Sequence, residues 1–279
     1  MSCLKIGEIK KSALKRMNDC YPQTLLVMMI FLSAHLFFAI AEALLIQFYV
    51  ERGEVVDIGN MAVPTGIMIG TAIRIVGEFM VLAPINVGTA WWLIHCVRGE
   101  NNNVAFILIC FSNAKIYFRS LLLSFIVSVI KLAMAIPVVL CAYLEYMLLS
   151  SFAESSYHGG TYIALGACCT IVLLCTVLLY IWLIANFCVV NFMFTMNPDE
   201  KIFNIIKQSV KAMDRNKMTV VKLVLSFIGW GFSMIFVFPV FFAVPYAALS
   251  YAILMDKIID REISRSTADM FMRNTIARK

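Results

Sequence analysis

Long apolar blocks separated by short polar gaps, with Lys and Arg crowded into alternate gaps only, constrain this chain more than any motif in it. A backbone in hydrocarbon must satisfy its own polar groups, so blocks of this length become α-helices. The residue balance agrees, with 62% hydrophobic and 14% charged where a soluble domain carries roughly a quarter charged. The expected fold class is all-α, a polytopic membrane helical bundle.

At about 1.5 Å per residue against roughly 30 Å of hydrocarbon, six crossings are expected. They are residues 23–49, 75–97, 117–148, 161–194, 218–237 and 241–256. The stretch 218–255 would be about 57 Å as one helix. With Pro239 and Pro245 near its middle, it is split by a turn around 237–243. Residues 61–73, broken by Pro64, Gly66 and Gly70, read as irregular or interfacial. Residues 104–112 are too short to cross and lie at the interface or under the bundle. The first twenty residues are too polar and too long for a signal leader, so the first block is read as retained. The division is a cytoplasmic segment 1–22, a transmembrane domain 23–256 and a cytoplasmic tail 257–279.

One set of gaps collects Lys5, Lys10, Lys11, Lys15 and Arg16, then Arg98, Lys115 and Arg119, then the 201–217 cluster and the tail. The other set holds Arg52 and little else that is basic. Cytoplasmic loops are enriched in Lys and Arg, so both termini are expected in the cytoplasm. The net charge of +6 then reflects loops facing anionic lipid rather than nucleic acid.

Residues 198–214 read as an amphipathic helix on the membrane surface. Asn197 caps it, Pro198 suits its first position, and Asp199 and Glu200 complement its positive end. Ile202, Ile206, Val210 and Met213 form the apolar stripe. Lys207, Lys211, Arg215 and Lys217 are the candidate contacts to anionic lipid head groups.

Ionisable groups inside a bilayer are costly and are functional candidates by default. Four fall there: Glu42, Arg74, Glu78 and Lys131. Arg74 and Glu78, four apart, share a helix face. If the first three crossings pack together, the two carboxylates face Lys131 across a wet cavity, which is a polar substrate or ion site. The plainer reading, a structural ion pair with snorkelling Arg and Lys, is favoured. His35 and His95 have no partner in the sequence and read as structural. The nine cysteines mostly lie inside apolar blocks, form no CxxC, and read as small buried hydrophobes. Nothing matches a nucleophile with its base, a phosphate loop or a zinc motif, so no catalytic residue, cofactor or metal is expected.

Arg119–Ile126 (RSLLLSFI) matches Val221–Ile228 (VKLVLSFI) 102 residues on, each after a span end, a polar turn and a short helix. That order suggests a parallel pseudo-repeat. The run Ser209-Val-Lys-Ala-Met213, Asn216-Lys217, then Ser226, Phe227, Gly229, Trp230, Pro245, Tyr246 and Tyr251 resembles an uncharacterised family of bacterial multi-pass membrane proteins. Ile9-Lys-Lys-Ser-Ala13 and the Pro84, Gly88, Arg98-Gly-Glu100 stretch extend the resemblance over most of the chain. The family's usual Met-x-Gly-x-Lys is replaced here by Met213-Asp-Arg-Asn-Lys217. The resemblance implies a cytoplasmic-membrane address, mostly in Gram-positive bacteria. More distantly, the layout is similar to the membrane region of glycerophosphodiester phosphodiesterases. The expected role is non-enzymatic, organising lipid or a membrane or cytoplasmic protein partner in envelope homeostasis. The alternative is a transporter or flippase-like protein for lipids or small amphiphiles.

Overall fold

The computed structural model describes residues 5–53, 55–58, 61–100, 103–154, 160–233 and 237–276. Helix α1 (Ile6–Glu51) carries one break, at Cys20 (φ −132°, ψ 24°), two residues before Pro22. The proline has no N–H for the preceding turn and its ring crowds it, so the helix bends there. A hairpin of β1 (Val55–Ile58) and β2 (Met61–Pro64) pairs Val55 with Pro64 and Ile58 with Met61. Next come α2 (Thr65–Gly77), a π-turn (Glu78–Leu82), α3 (Ala83–Arg98), a 3₁₀ turn (Val104–Leu108) and α4 (Ile109–Ser112). They are followed by α5 (Ala114–Glu154), α6 (Gly160–Ile184), a 3₁₀ turn (Ala185–Phe187), α7 (Val190–Met196), α8 (Ile202–Asp214), α9 (Lys217–Leu225), α10 (Ile228–Ser233) and α11 (Val237–Ile276). Among the described residues, five helices are long and apolar enough to cross a membrane, within 6–51, 65–98, 114–151, 164–196 and 239–265. The fold is a helical membrane bundle with one small hairpin.

The chain forms two compact units, residues 1–124 with 189–279, and residues 125–188. In the first, the buried core is built from α3, the 104–112 segment, α7, α8, α9 and α11, together with the start of α1. Ile9, Ala13, Met17, Cys20, Thr24 and Val27 are all buried. They recur every three or four residues and so share one face of α1. Most of the segment expected as a cytoplasmic N-terminal stretch is therefore a packed helix. Gly99 (φ 93°) closes α3: its N–H bonds the Cys96 carbonyl at 3.2 Å and the Glu100 N–H bonds the His95 carbonyl at 3.0 Å. This is a Schellman cap, which needs the left-handed residue that glycine supplies.

The second unit holds the rest of α5, which runs on through Pro137, and α6. Thr170 donates to the Glu145 carboxylate at 2.7 Å, linking the two helices. Leu132, Ile136, Leu144, Ile171 and Leu178 are exposed, as hydrocarbon-facing positions are.

Four local expectations change. Residues 61–73 are a strand and a regular helix, because Gly66 and Gly70 lie against α1 rather than breaking the chain. The 198–214 helix begins at Ile202, since Asn197–Glu200 form a turn whose Asp199 and Glu200 are held by α5. Residues 237–243 are helical, with Pro239 in the first turn of α11, where its missing N–H costs nothing. The 218–237 crossing is two short helices, α9 and α10, meeting at Ser226-Phe227; residues 234–236 lie outside the described set.

Candidate functional site

Two places gather polar chemistry. The first is in the apolar blocks, where α2 packs on the second half of α1 through small residues. A Cβ at Gly66 would meet Tyr49 and Ile46, one at Gly70 would meet Glu42, and one at Gly77 would strike the Phe38 ring. Small residues four apart allow this approach between membrane helices. The approach brings Arg74 Nη1 to 2.6 Å from Glu42 Oε2, with the Glu42 side chain 17% exposed and Arg74 54%. Glu78 opens the π-turn one helical turn later and adds to the negative field at Arg74. Lys131 belongs to the second unit, on α5. Flanking Arg74 and Glu78 in sequence is an apolar groove of about 350 Å³ lined by Phe38, Ala72, Ile73, Val76, Met80 and Val81.

The second place is the end of the first unit where the basic residues collect. Several of the cations there meet acceptors that are distant in sequence. Arg98 sends Nε to Asp256 Oδ1 at 2.9 Å and Nη2 to Asp260 Oδ1 at 3.3 Å, clamping the end of α3 onto α11. Lys115 bonds Asp199 at 2.6 Å and Arg119 donates to the Glu200 carbonyl. The ammonium of Lys115 holds the Asp199 carboxyl below the usual carboxylate range. Lys211 reaches Glu262 at 2.9 Å, a carboxylate whose side chain is only 10% exposed, and Arg265 lies on its other oxygen at 3.9 Å. Met193, Met196, Gln208 and Ile259 join that pair in lining a cavity of about 240 Å³.

On α8 the buried face is Ile202, Ile205, Ile206, Ser209, Ala212 and Met213, with Val210 exposed. The stripe is turned slightly from the expected one because small Ser209 and Ala212 let the helix seat among its neighbours. Lys207 and Arg215 remain exposed, Lys211 is paired, and Lys217 is buried at 9% exposure. The free basic face is thus narrower than the four cations suggest.

Three of the residues that carry the family resemblance, Phe227, Trp230 and Tyr246, converge. Phe227, Trp230, Phe242 and Tyr246 stack in one aromatic cluster, with Phe227 to Tyr246 centroids 5.4 Å apart and Trp230 to Phe242 centroids 5.7 Å apart. Pro245 lies inside α11, and Gly229 has open space around it. Tyr251 packs separately on Phe192 at 5.7 Å. Lys10 of α1 donates to the Ser226 carbonyl at 3.1 Å and lies 4.4 Å over the Phe227 ring. A cation at the carbonyl end of α9 complements its dipole and satisfies a group the helix break would orphan.

The match of 119–126 to 221–228 does not carry over into packing. It sets buried Ser120 and Leu123 against exposed Lys222 and Leu225, and a continuous helix against a broken one.

One site was missed altogether. Cys20 at the kink of α1 and Cys96 in the last turn of α3, 76 residues apart, bring their Sγ atoms to 3.0 Å. No local pattern announces such a pair; the buried stripe through Cys20 was the one available signal.

Residues 1–262 match the family described as "Protein of unknown function (DUF975)". No curated protein and no solved structure matches the chain.

Proposed function

Since the chain belongs to the DUF975 family, for which no activity is defined, we propose a role from its own geometry. It is a non-enzymatic integral protein of the bacterial cytoplasmic membrane that organises lipid. The observation that carries this reading is the contrast within the first unit. Its polar groups close on one another in ion pairs, while the groove between α1 and α2 stays apolar and open. A groove of about 350 Å³ lined by Phe38, Ala72, Val76 and Met80 suits an acyl chain, and Lys207 and Arg215 suit anionic head groups. Paired Glu42 and Arg74 act here as a structural clasp between two helices, not as a gate.

Both termini face the cytoplasm in this reading. The basic gaps support it, and it makes residues 217–233 a sixth, broken crossing of about 25 Å at 1.5 Å per residue. The bacterial, mostly Gram-positive address and the distant likeness to phosphodiesterase membrane regions rest on the sequence resemblance. A role in envelope homeostasis follows from them, with protein partners docking on the cytoplasmic side.

Native mass spectrometry of the protein released from nanodiscs tests the lipid reading. Wild type should retain bound phospholipid, and Val76→Trp, which fills the groove, should lose it while the protein stays folded. In vesicles, translocation of a fluorescent lipid should match protein-free controls. Translocation by wild type that Glu42→Gln abolishes would replace this reading with a transporter.

A further inference from the structure

The thiols of Cys20 and Cys96 sit 3.0 Å apart in the wall of a polar cleft of about 290 Å³. Arg16, Gln23, Trp92 and Glu100 also line it. Arg16 braces the far side, with its Nε donating to the Cys96 carbonyl at 2.7 Å. Trp92 is 1% exposed and its indole N–H has no partner among the described residues. The cleft therefore offers a small polar molecule a cation, two carboxylates (Asp19 and Glu100) and an amide beside two thiols. Among the described residues, no three His, Cys, Asp or Glu gather as a metal site.

The two sulfurs are not equivalent. Contact with the Cys96 thiol does most to hold the Cys20 thiol below its ordinary range, against the opposing effects of burial and of Asp19; Thr24 and Arg16 assist. Cys110 shows what burial alone does, since its thiol is pushed up to about 11. Thiolate character decides which sulfur attacks.

We propose that Cys20 and Cys96 are a redox-active dithiol whose substrate is a low-molecular-weight disulfide entering this cleft. The Cys20 thiolate attacks one sulfur of the substrate, its S–S bond breaks, and one small thiol leaves with the proton Cys20 gave up. Cys96 then attacks Cys20 Sγ in the mixed disulfide, and the second small thiol leaves with the proton of Cys96. Two protein thiols are oxidised to one disulfide and one small disulfide is reduced to two thiols. Closing from 3.0 Å to a bond of about 2.05 Å asks for roughly 1 Å of movement and fastens the α1 kink to the end of α3. On the basic side, in a reducing cytoplasm, the dithiol is the resting form.

The test uses the full chain in nanodiscs, treated with cystamine, blocked with N-ethylmaleimide and digested for peptide mass spectrometry. Wild type should yield a linked Cys20–Cys96 peptide. Cys96→Ser should stop at a cystamine adduct on Cys20, and Cys20→Ser should react at least about tenfold more slowly at this site. Absence of the linked peptide from wild type overturns the proposal, whatever the variants do. So does a Cys20→Ser protein whose Cys96 reacts at the wild-type rate. Should Cys20→Ser fail to fold, Arg16→Gln replaces it: slower linkage supports the assignment of Cys20, and unchanged linkage overturns it.

Discussion

Gly88→Ala should destabilise the protein by about 3 kcal/mol or more, the largest loss expected from adding one methyl group anywhere in the described chain. At Gly88, α3 lies directly on the 3₁₀ turn, and a Cβ there would sit 1.9 Å from the Ile107 carbonyl oxygen and 2.7 Å from its carbon. The obstacle is backbone, in a turn whose Ile107 is itself buried, as is Cys110 of the adjoining α4. It cannot swing aside as a side-chain tip does, so the helix and the turn must part by more than 1 Å, and interiors packed like crystals do not absorb that. Gly166→Ala and Gly229→Ala are the matched controls, because nothing lies within 4 Å of a Cβ at either. Both should be neutral or slightly stabilising, as alanine favours helix over glycine by about 1 kcal/mol. Chemical unfolding of the three variants in one detergent gives the comparison. A Gly88→Ala protein as stable as its controls would mean that α3 and residues 104–108 do not meet this way.

Arg98→Met is expected to cost about 2–3 kcal/mol, chiefly through what it strands. The guanidinium forks onto Asp256 and Asp260, one helical turn apart on α11, and the Asp256 side chain is only 15% exposed. Without the arginine, a largely buried carboxylate faces a second negative charge with no cation between them. Asp256→Asn in the Arg98→Met background should restore most of the loss, which separates an unpaired charge from lost packing. Lys115→Met is the counter-case. Lys115 and Asp199 are 2.6 Å apart, but their side chains are 67% and 79% exposed, so removing the pair should leave stability unchanged within error. A Lys115→Met loss equal to that of Arg98→Met would show that burial does not set the ranking.

What the sequence made legible is local. Apolar blocks announce membrane helices because hydrocarbon leaves the backbone no other choice. Arg98-Gly-Glu100 announces the end of α3 because only glycine takes φ near +90° without strain. The stripe Ile9, Ala13, Met17 was equally legible, but the lysines between its members made the segment look solvated. Pairings between remote elements were not legible. Arg98 with Asp256, Lys211 with Glu262, and Cys20 with Cys96 are 158, 51 and 76 positions apart, and composition treats each member as an isolated charge or thiol. Among the candidate groups, Glu42 and Arg74 meet because Gly70 lets α2 close on α1, a consequence of a missing side chain rather than of the charges themselves.

The start of α1 is fastened at places made more than 200 residues later in synthesis. Lys10 bonds the carbonyl of Ser226 and Tyr21 bonds that of Phe241, 216 and 220 positions later. At about 5–20 residues per second, the part of the Ile9–Val27 stripe that faces α11 waits roughly ten to forty seconds on the ribosome before those partners exist. During biogenesis that face needs temporary cover, from the lipid surface or a chaperone, and the bundle cannot be sealed until α11 has been inserted.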